Sequence, residues 1–341
     1  MPAASPSAFS CLHPELASGP HLSALPQLTV SAPGSLMIAG EHAVLYGKHA
    51  LVGAVDQRVF VTLTPNDTDT ITIHSALGER TMPLNTIDAS KPFHFIGAIL
   101  ETHQAAFPSG FDITVAAEFP ADVGLGSSSA VTVATLAAIT AWTTGAFPDQ
   151  TELMGAAITI IRDVQGMGSG ADAAAAVWGG ILLYKATPEV IARYPSPLSS
   201  SALPPVSLVY AGYKTATPKV IKIVAAQRAS SDDHHAALFD RIDANALAAN
   251  EALHNSDWTA LGEALTAGQH LMEELGVCDD ALSEIVTAMQ TMPDIRGTKI
   301  SGSGLGDCVL GIGSLSPVDW PYRAIPVHFS QEGVRLEENT P

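Results

Sequence analysis

Apolar residues dominate QLTVSAPGSLMIAG (27–40) and HALVGAVDQRVFVTLTP (49–65) in a strand-like pattern, and both segments are rich in β-branched residues. That pattern predicts two strands. DTITIHS (69–75) alternates cleanly and continues a sheet. FHFIGAILETHQAAF then takes helical spacing, and GFDITVAAEFP returns to strand. In ADVGLGSSSAVTVATLAAITAW a glycine-bearing turn runs through serines into a long apolar helix. A second helix is predicted over about 150–164, followed by a loop, a small-residue helix and a strand in QGMGSGADAAAAVWGGILLY. The stretch 187–204, rich in Pro and Ser, marks the best candidate boundary. Beyond it VSLVYAGY reads as a strand, helices are predicted near 217–229, 233–253, 257–275 and 279–290, and GTKISGSGLGDCVLGIG reads as two strands broken by glycines. Strands and helices do not alternate regularly, so the order predicts an α+β fold and not a Rossmann layout.

Bulk properties narrow the class. A chain of 341 residues, 47 % hydrophobic and 15 % charged, is globular and long enough for two domains. Its formal charge of −18 argues against nucleic acid or an anionic membrane as partner. The same charge means that a polyphosphate site would need magnesium, helix N-termini and a few placed cations. Only seven lysines exist, and Lys214, Lys219 and Lys222 fall within nine residues. Cys11, Cys278 and Cys308 show neither metal-ligand nor disulfide spacing. The first basic residue is Lys48, so no positive signal-peptide region precedes the apolar segments, and the run 131–142 is too short to span a bilayer. Cytoplasmic residence is the expectation, with residues 1–27 a poorly ordered extension.

Three stretches carry candidate chemistry. In PADVGLGSSSA (120–130) the glycines let backbone amides approach an anion and the following helix points its positive end at it. A plain serine N-cap would look the same. TKISGSGLGDCVLGIG (298–313) places five glycines in a strand–turn–strand context, suited to close approach of a ligand or to a structural hairpin. Asp172, preceded by glycines and followed by four alanines, is either a helix N-cap or a carboxylate beside a reacting hydroxyl. DDHH (232–235) reads as acids at a helix start, not a metal site, Cys308 as a packed thiol, and Trp178 and Tyr184 as core or cleft-wall aromatics.

Taken in order, SAPGSLMIAGEHAVLYG (31–47), PADVGLGSSSA and KISGSGLGDC resemble the three motifs of the GHMP kinase superfamily, over nearly the whole chain from residue 28. GEHAVLYGKHAL, GSGADAAAAVWGG and LGEALTAGQHLMEELGVCDDAL look most like mevalonate kinases, whereas GLGDC is similar to phosphomevalonate kinases. The resemblance implies a two-domain α+β fold: a ribosomal protein S5 domain 2-like domain (28–195) and a ferredoxin-like domain (205–335), with ATP and a small-molecule acceptor between them. The acceptor would be mevalonate or phosphomevalonate. Another small hydroxylated acid, or a non-catalytic sensor that binds ATP or a metabolite, are the other readings. Homodimers are common in such a family.

By the same resemblance, Gly124, Leu125, Gly126, Ser127, Ser128 and Ser129 would form the phosphate loop, Gly302 and Gly304 would approach the nucleotide, and Ser128 would meet Mg2+. Asp172 would be the catalytic base, with Glu41 and His42 facing the acceptor. Two departures stand out. Ser35 replaces the lysine that usually follows Ala-Pro-Gly, exchanging a cation for a neutral hydroxyl. The acid expected to join Ser128 at the metal falls near Ile161, and Asp163 is the nearest carboxylate. Lys214, or else Lys48, would replace the missing cation, and Thr215 and Thr217 would bond phosphate or acceptor. Lys219 and Lys222 read as surface cations on their helix.

Overall fold

The structure, a computed structural model, describes residues 27–120, 123–186, 189–193, 205–317 and 320–338. The expected extension 1–27 lies, except for Gln27, outside the described residues, as does most of the 187–204 boundary. Seven strands of a first sheet come from the N-terminal half: β1 (Leu28–Ala39), β2 (Ala50–Asn66), β3 (Thr70–Ser75), β4 (Gly78–Pro83), β5 (Gly110–Ala117), β6 (Ile181–Ala186) and β7 (Glu189–Arg193). The path runs β1-β2-β5-β3-β4, with β6 added to the first residues of β2 and β7 to β6; only β3 and β5 pair in parallel. β4 escapes the sequence reading because GERTMP is largely exposed and polar.

Four helices cover this sheet: α1 (His94–His103), α2 (Ser127–Thr144), α3 (Gln150–Gln165) and α4 (Ala171–Trp178). α2 packs on β1 and β2 and is flanked by α1, α3 and α4. A helix surrounded in this way buries every side, which is why 131–142 is apolar all round without being a membrane segment. No helix among the described residues is long and apolar enough to cross a membrane. Asp149 caps α3 by accepting from the amides of Thr151 and Glu152, and Gly166 ends that helix in the left-handed region.

The second sheet has β8 (Val206–Lys214), β9 (Ile295–Ser301), β10 (Gly306–Gly313) and β11 (Arg323–Val327), all antiparallel in the order β11-β8-β10-β9. Its helices are α5 (Thr217–Ser230), α6 (Asp232–His254), α7 (Trp258–Glu274) and α8 (Asp280–Gln290), of which α7 and α8 pack on β9. The first half of α6 (Leu238, Phe239, Ile242) belongs to the second core, its last turns (Ala246, Ala249, Leu253) to the first. This helix therefore fixes one sheet against the other. After β11 the chain returns to the first sheet, where β12 (Arg335–Leu336) pairs with β1. Buried Arg58 secures that return, donating to the carbonyl of Gly333 at 2.7 Å and to the hydroxyl of Ser31 at 2.7 Å. Residues 328–338 therefore sit on the first sheet, although the sequence grouped 328–335 with the second.

Candidate active site

The cleft between the sheets is built from tight turns, two of whose glycines leave no room for a side chain. A bulge between Pro33 and Ser35 shifts the register of β1 against β2, and the amide of Ser35 donates to the carbonyl of Leu125 at 3.0 Å. The 124–126 turn thus lies directly on the bulge. A Cβ on Gly126 (φ 62°) would overlap the hydroxyl of Ser35, and one on Gly124 would overlap the carboxylate of Asp307. The two glycines let the turn seat against both residues. α2 begins at Ser127 with no side-chain cap.

Asp172 is not a cap. Gly170 holds that position for α4, and Asp172 instead accepts a hydrogen bond from the hydroxyl of Ser35 at 2.8 Å. Burial pushes the Asp172 carboxyl above the ordinary value; the Ser35 hydrogen bond and Lys214 oppose the shift, while Asp307 and Glu41 add to it. Lys214, at the end of β8, lies 3.0 Å from Oδ2 of Asp307 at the start of β10. On the other wall Glu41 forms a fully buried ion pair with Lys299 of β9. Next to it, His42 takes φ 59° and donates from Nε2 to the carbonyl of Ser303 at 2.9 Å. Burial lowers the His42 value, so the ring is neutral and its Nδ1 is an acceptor.

Ser35, Glu41, His42, Gly124, Gly126, Ser127, Ser128, Ser129, Asp172, Lys214, Thr217 and Gly302 all line this cleft. Several expected residues do not. Asp163 points to solvent, because the turns of α3 that face the cleft present Ile161 and Gln165, and a residue two positions on from Ile161 falls on the far side. Lys48 is paired with Asp240 of α6 and does not line the cleft. Thr215 is absent from the lining; Leu125 is buried with its carbonyl engaged by Ser35, and Gly304 is held against the carbonyl of Val277, so these last two shape the turns from behind. DDHH opens α6, with Asp232 bonded to Arg228, and no cluster of three or more His, Cys, Asp or Glu among the described residues could hold a metal. Cys308 is fully buried, and burial raises its thiol well above the usual value.

The sequence reading missed Asp307, Lys299 and Ser303 as site residues. Asp307 was visible as an acid inside a glycine run, whereas Lys299 sits in IRGTKIS beside Arg296, Thr298 and Ser301, and nothing in that strand's sequence marks it as buried. A second cavity, about 820 Å³, opens on the other side of Ser127 and Ser128. Its walls are apolar, from Phe93, Phe95, Ile96, Phe119 and Val131, and it contains His94, whose Nδ1 is buried without a partner. The two spaces meet at the start of α2.

An alanine at Gly124 is expected to weaken binding of a non-hydrolysable ATP analogue at least about tenfold and to cost about 1–3 kcal/mol of stability, since the new Cβ must displace Asp307 or the turn. Calorimetric titration together with urea unfolding checks both.

Two sheets with an uncapped helix start, a buried carboxylate and a glycine hairpin converging on one cleft define a two-domain α+β protein. Residues 94–180 match the family described as GHMP kinases N terminal domain, and 249–319 match GHMP kinases C terminal. The mevalonate kinase of Archaeoglobus fulgidus is 30 % identical over 311 residues, covering 91 % of this chain and 100 % of that protein. That of Methanothermobacter thermautotrophicus is 30 % identical over 286 residues, covering 83 % and 89 %. The crystal structure of Methanococcus jannaschii mevalonate kinase superposes with a TM-score of 0.74 at 21 % identity, over 88 % of this chain and 98 % of that one. The chain belongs to the GHMP kinase family.

Proposed function

We propose that this protein transfers the γ-phosphoryl group of ATP to the primary hydroxyl of mevalonate, in the synthesis of isoprenoid precursors. The observation that carries the reading is the full-length similarity to curated mevalonate kinases, joined to a cleft whose glycine turn, buried carboxylate and lysine suit that chemistry. The apolar cavity suits adenosine, the turn at 124–126 and the start of α2 suit the phosphates, and the Glu41–His42 wall suits the acceptor. Glu41 and neutral His42 offer hydrogen-bond acceptors to hydroxyls. Lys214 is the only lysine or arginine among the described lining residues, which favours an acceptor without a phosphate of its own.

In this reading Asp172 accepts the proton of the attacking hydroxyl as its oxygen bonds the γ-phosphorus and the bond from that phosphorus to the β–γ bridging oxygen breaks. The hydrogen bond from Ser35 fixes the orientation of Asp172. Lys214 supplies the positive charge that a lysine at position 35 would have brought. Phosphoryl transfer depends mainly on in-line positioning and charge neutralisation, so the position of the cation matters more than the residue it comes from. Magnesium, when bound, neutralises phosphate charge and orients the γ-phosphoryl group. The residues present suit it: Ser128 offers a hydroxyl and Asp307 an unpartnered oxygen on the same cleft.

ADP release coupled to a reporter, with mevalonate and phosphomevalonate offered separately, tests the reading. Mevalonate-dependent turnover that falls by about two orders of magnitude in Lys214→Ala is expected. Turnover only with phosphomevalonate, or with neither, overturns it.

A further inference from the structure

Asp307 is the residue of the cleft that packing explains least. It is 4 % exposed, holds φ 78°, and spends one carboxylate oxygen on Lys214. Its other oxygen, Oδ1, is buried without a hydrogen-bond partner. Apart from Lys214, the adjoining Cys308 thiol is directed at this carboxylate, and a neutral thiol is too weak a donor to satisfy it. An unmatched buried carboxylate oxygen is costly, and a native structure keeps one where something else satisfies it. The surroundings are shaped to it: Gly124, in the turn that precedes α2, has no room for a Cβ because this carboxylate occupies the space.

Charge points the same way. Asp172 and Asp307 line one cleft and share Lys214 as their cation, since Lys299 is committed to Glu41. A triphosphate entering there meets two carboxylates and a single lysine, an arrangement that repels it unless a further cation lies between. α3 presents Ile161 and Gln165 to the cleft and turns Asp163 away, so it brings no carboxylate there. Magnesium characteristically takes one or two protein oxygens and completes its shell with water and phosphate, so a site of few ligands is sufficient.

We propose that Asp307 is the carboxylate ligand of the nucleotide-bound divalent cation in this protein, through Oδ1, with the Ser128 hydroxyl as the second protein oxygen. Lys214 orients the carboxylate by holding Oδ2. The assignment rests on the kinase reading, and the test separates the two. Binding of a non-hydrolysable ATP analogue is titrated calorimetrically with excess Mg2+ and with chelator, and Mn2+ in the ternary complex is followed by its electron paramagnetic resonance. Wild-type protein should bind more tightly with metal. Asp307→Asn keeps the shape, and asparagine tolerates a positive φ, so the fold survives; its thermal transition verifies this. The variant should lose the metal-dependent gain by about tenfold or more, with metal-free binding unchanged or tighter because a negative charge has gone. Lys214→Ala should weaken binding in both conditions and keep the metal-dependent gain. An Asp307→Asn protein with an undiminished metal-dependent gain overturns the cation site and leaves the kinase reading intact. So does loss of that gain in Asp172→Asn but not in Asp307→Asn. Wild-type protein that binds no analogue in either condition overturns the kinase reading and the cation site with it.

Discussion

An Asp172→Asn protein is expected to lose phosphoryl transfer by about 10²–10⁴-fold while melting at a higher temperature than the wild type. The two effects share a cause. Asp172 is buried, and burial holds its carboxyl above the ordinary carboxylate value. Between that ordinary value and the raised one, the folded protein keeps a proton that the unfolded chain has released. Stability contributed at this site therefore falls as pH rises through that window, and above it the buried charge is a full cost. Asparagine removes the charge and still accepts from Ser35, so its gain in melting temperature should be present at pH 7 and vanish below the ordinary carboxylate range. The wild-type kcat/KM should rise with pH through the raised value, because only the ionised carboxylate can accept the hydroxyl proton. Single-turnover kinetics and melting curves across pH measure both sides. A variant with wild-type transfer would remove Asp172 from the chemistry.

The second large effect is expected at Lys299. Its side chain is 1 % exposed and that of Glu41 3 %, so neither ion has water to fall back on. Burial lowers the Lys299 value and Glu41 opposes the shift. Lys299→Met strands a buried carboxylate and should cost about 3–5 kcal/mol in urea unfolding. The double variant Glu41→Gln/Lys299→Met should recover much of that loss, because it removes the stranded charge. What folds of the single variant should show a raised KM for the acceptor, since Glu41 lines the cleft. Equal destabilisation of the single and double variants would show that the pair matters for its packing and not its charge.

The motifs were legible because each is a local device. A glycine turn before a serine-led helix reflects backbone requirements that neighbouring residues impose, and Asp172 stood out as a lone acid between glycines and alanines. The helices of the second half were legible to within a residue or two for the same reason, with Asp257 and Asp279 capping α7 and α8. The short strands β4, β11 and β12 were not. β12 has two residues and exists because Arg58 and β1 hold it, and an exposed edge such as β4 carries no apolar alternation to read.

By itself, then, the sequence determined the α+β class, the order of the long elements and the glycine turns, all of which arise from contacts within a few residues. Tertiary structure decided which charges meet. Ser35 reaches Asp172 across 137 positions, and Lys299 reaches Glu41 across 258. Lys214 faces Asp307 only because β8 and β10 are neighbours, with Lys214 registered beside Gly306. Asp163 and Lys48 carry suitable chemistry, yet the helical turn directs one to solvent and Asp240 holds the other. An ionisable group's role depends on its burial and on the sign of the charge beside it, and long-range packing fixes both.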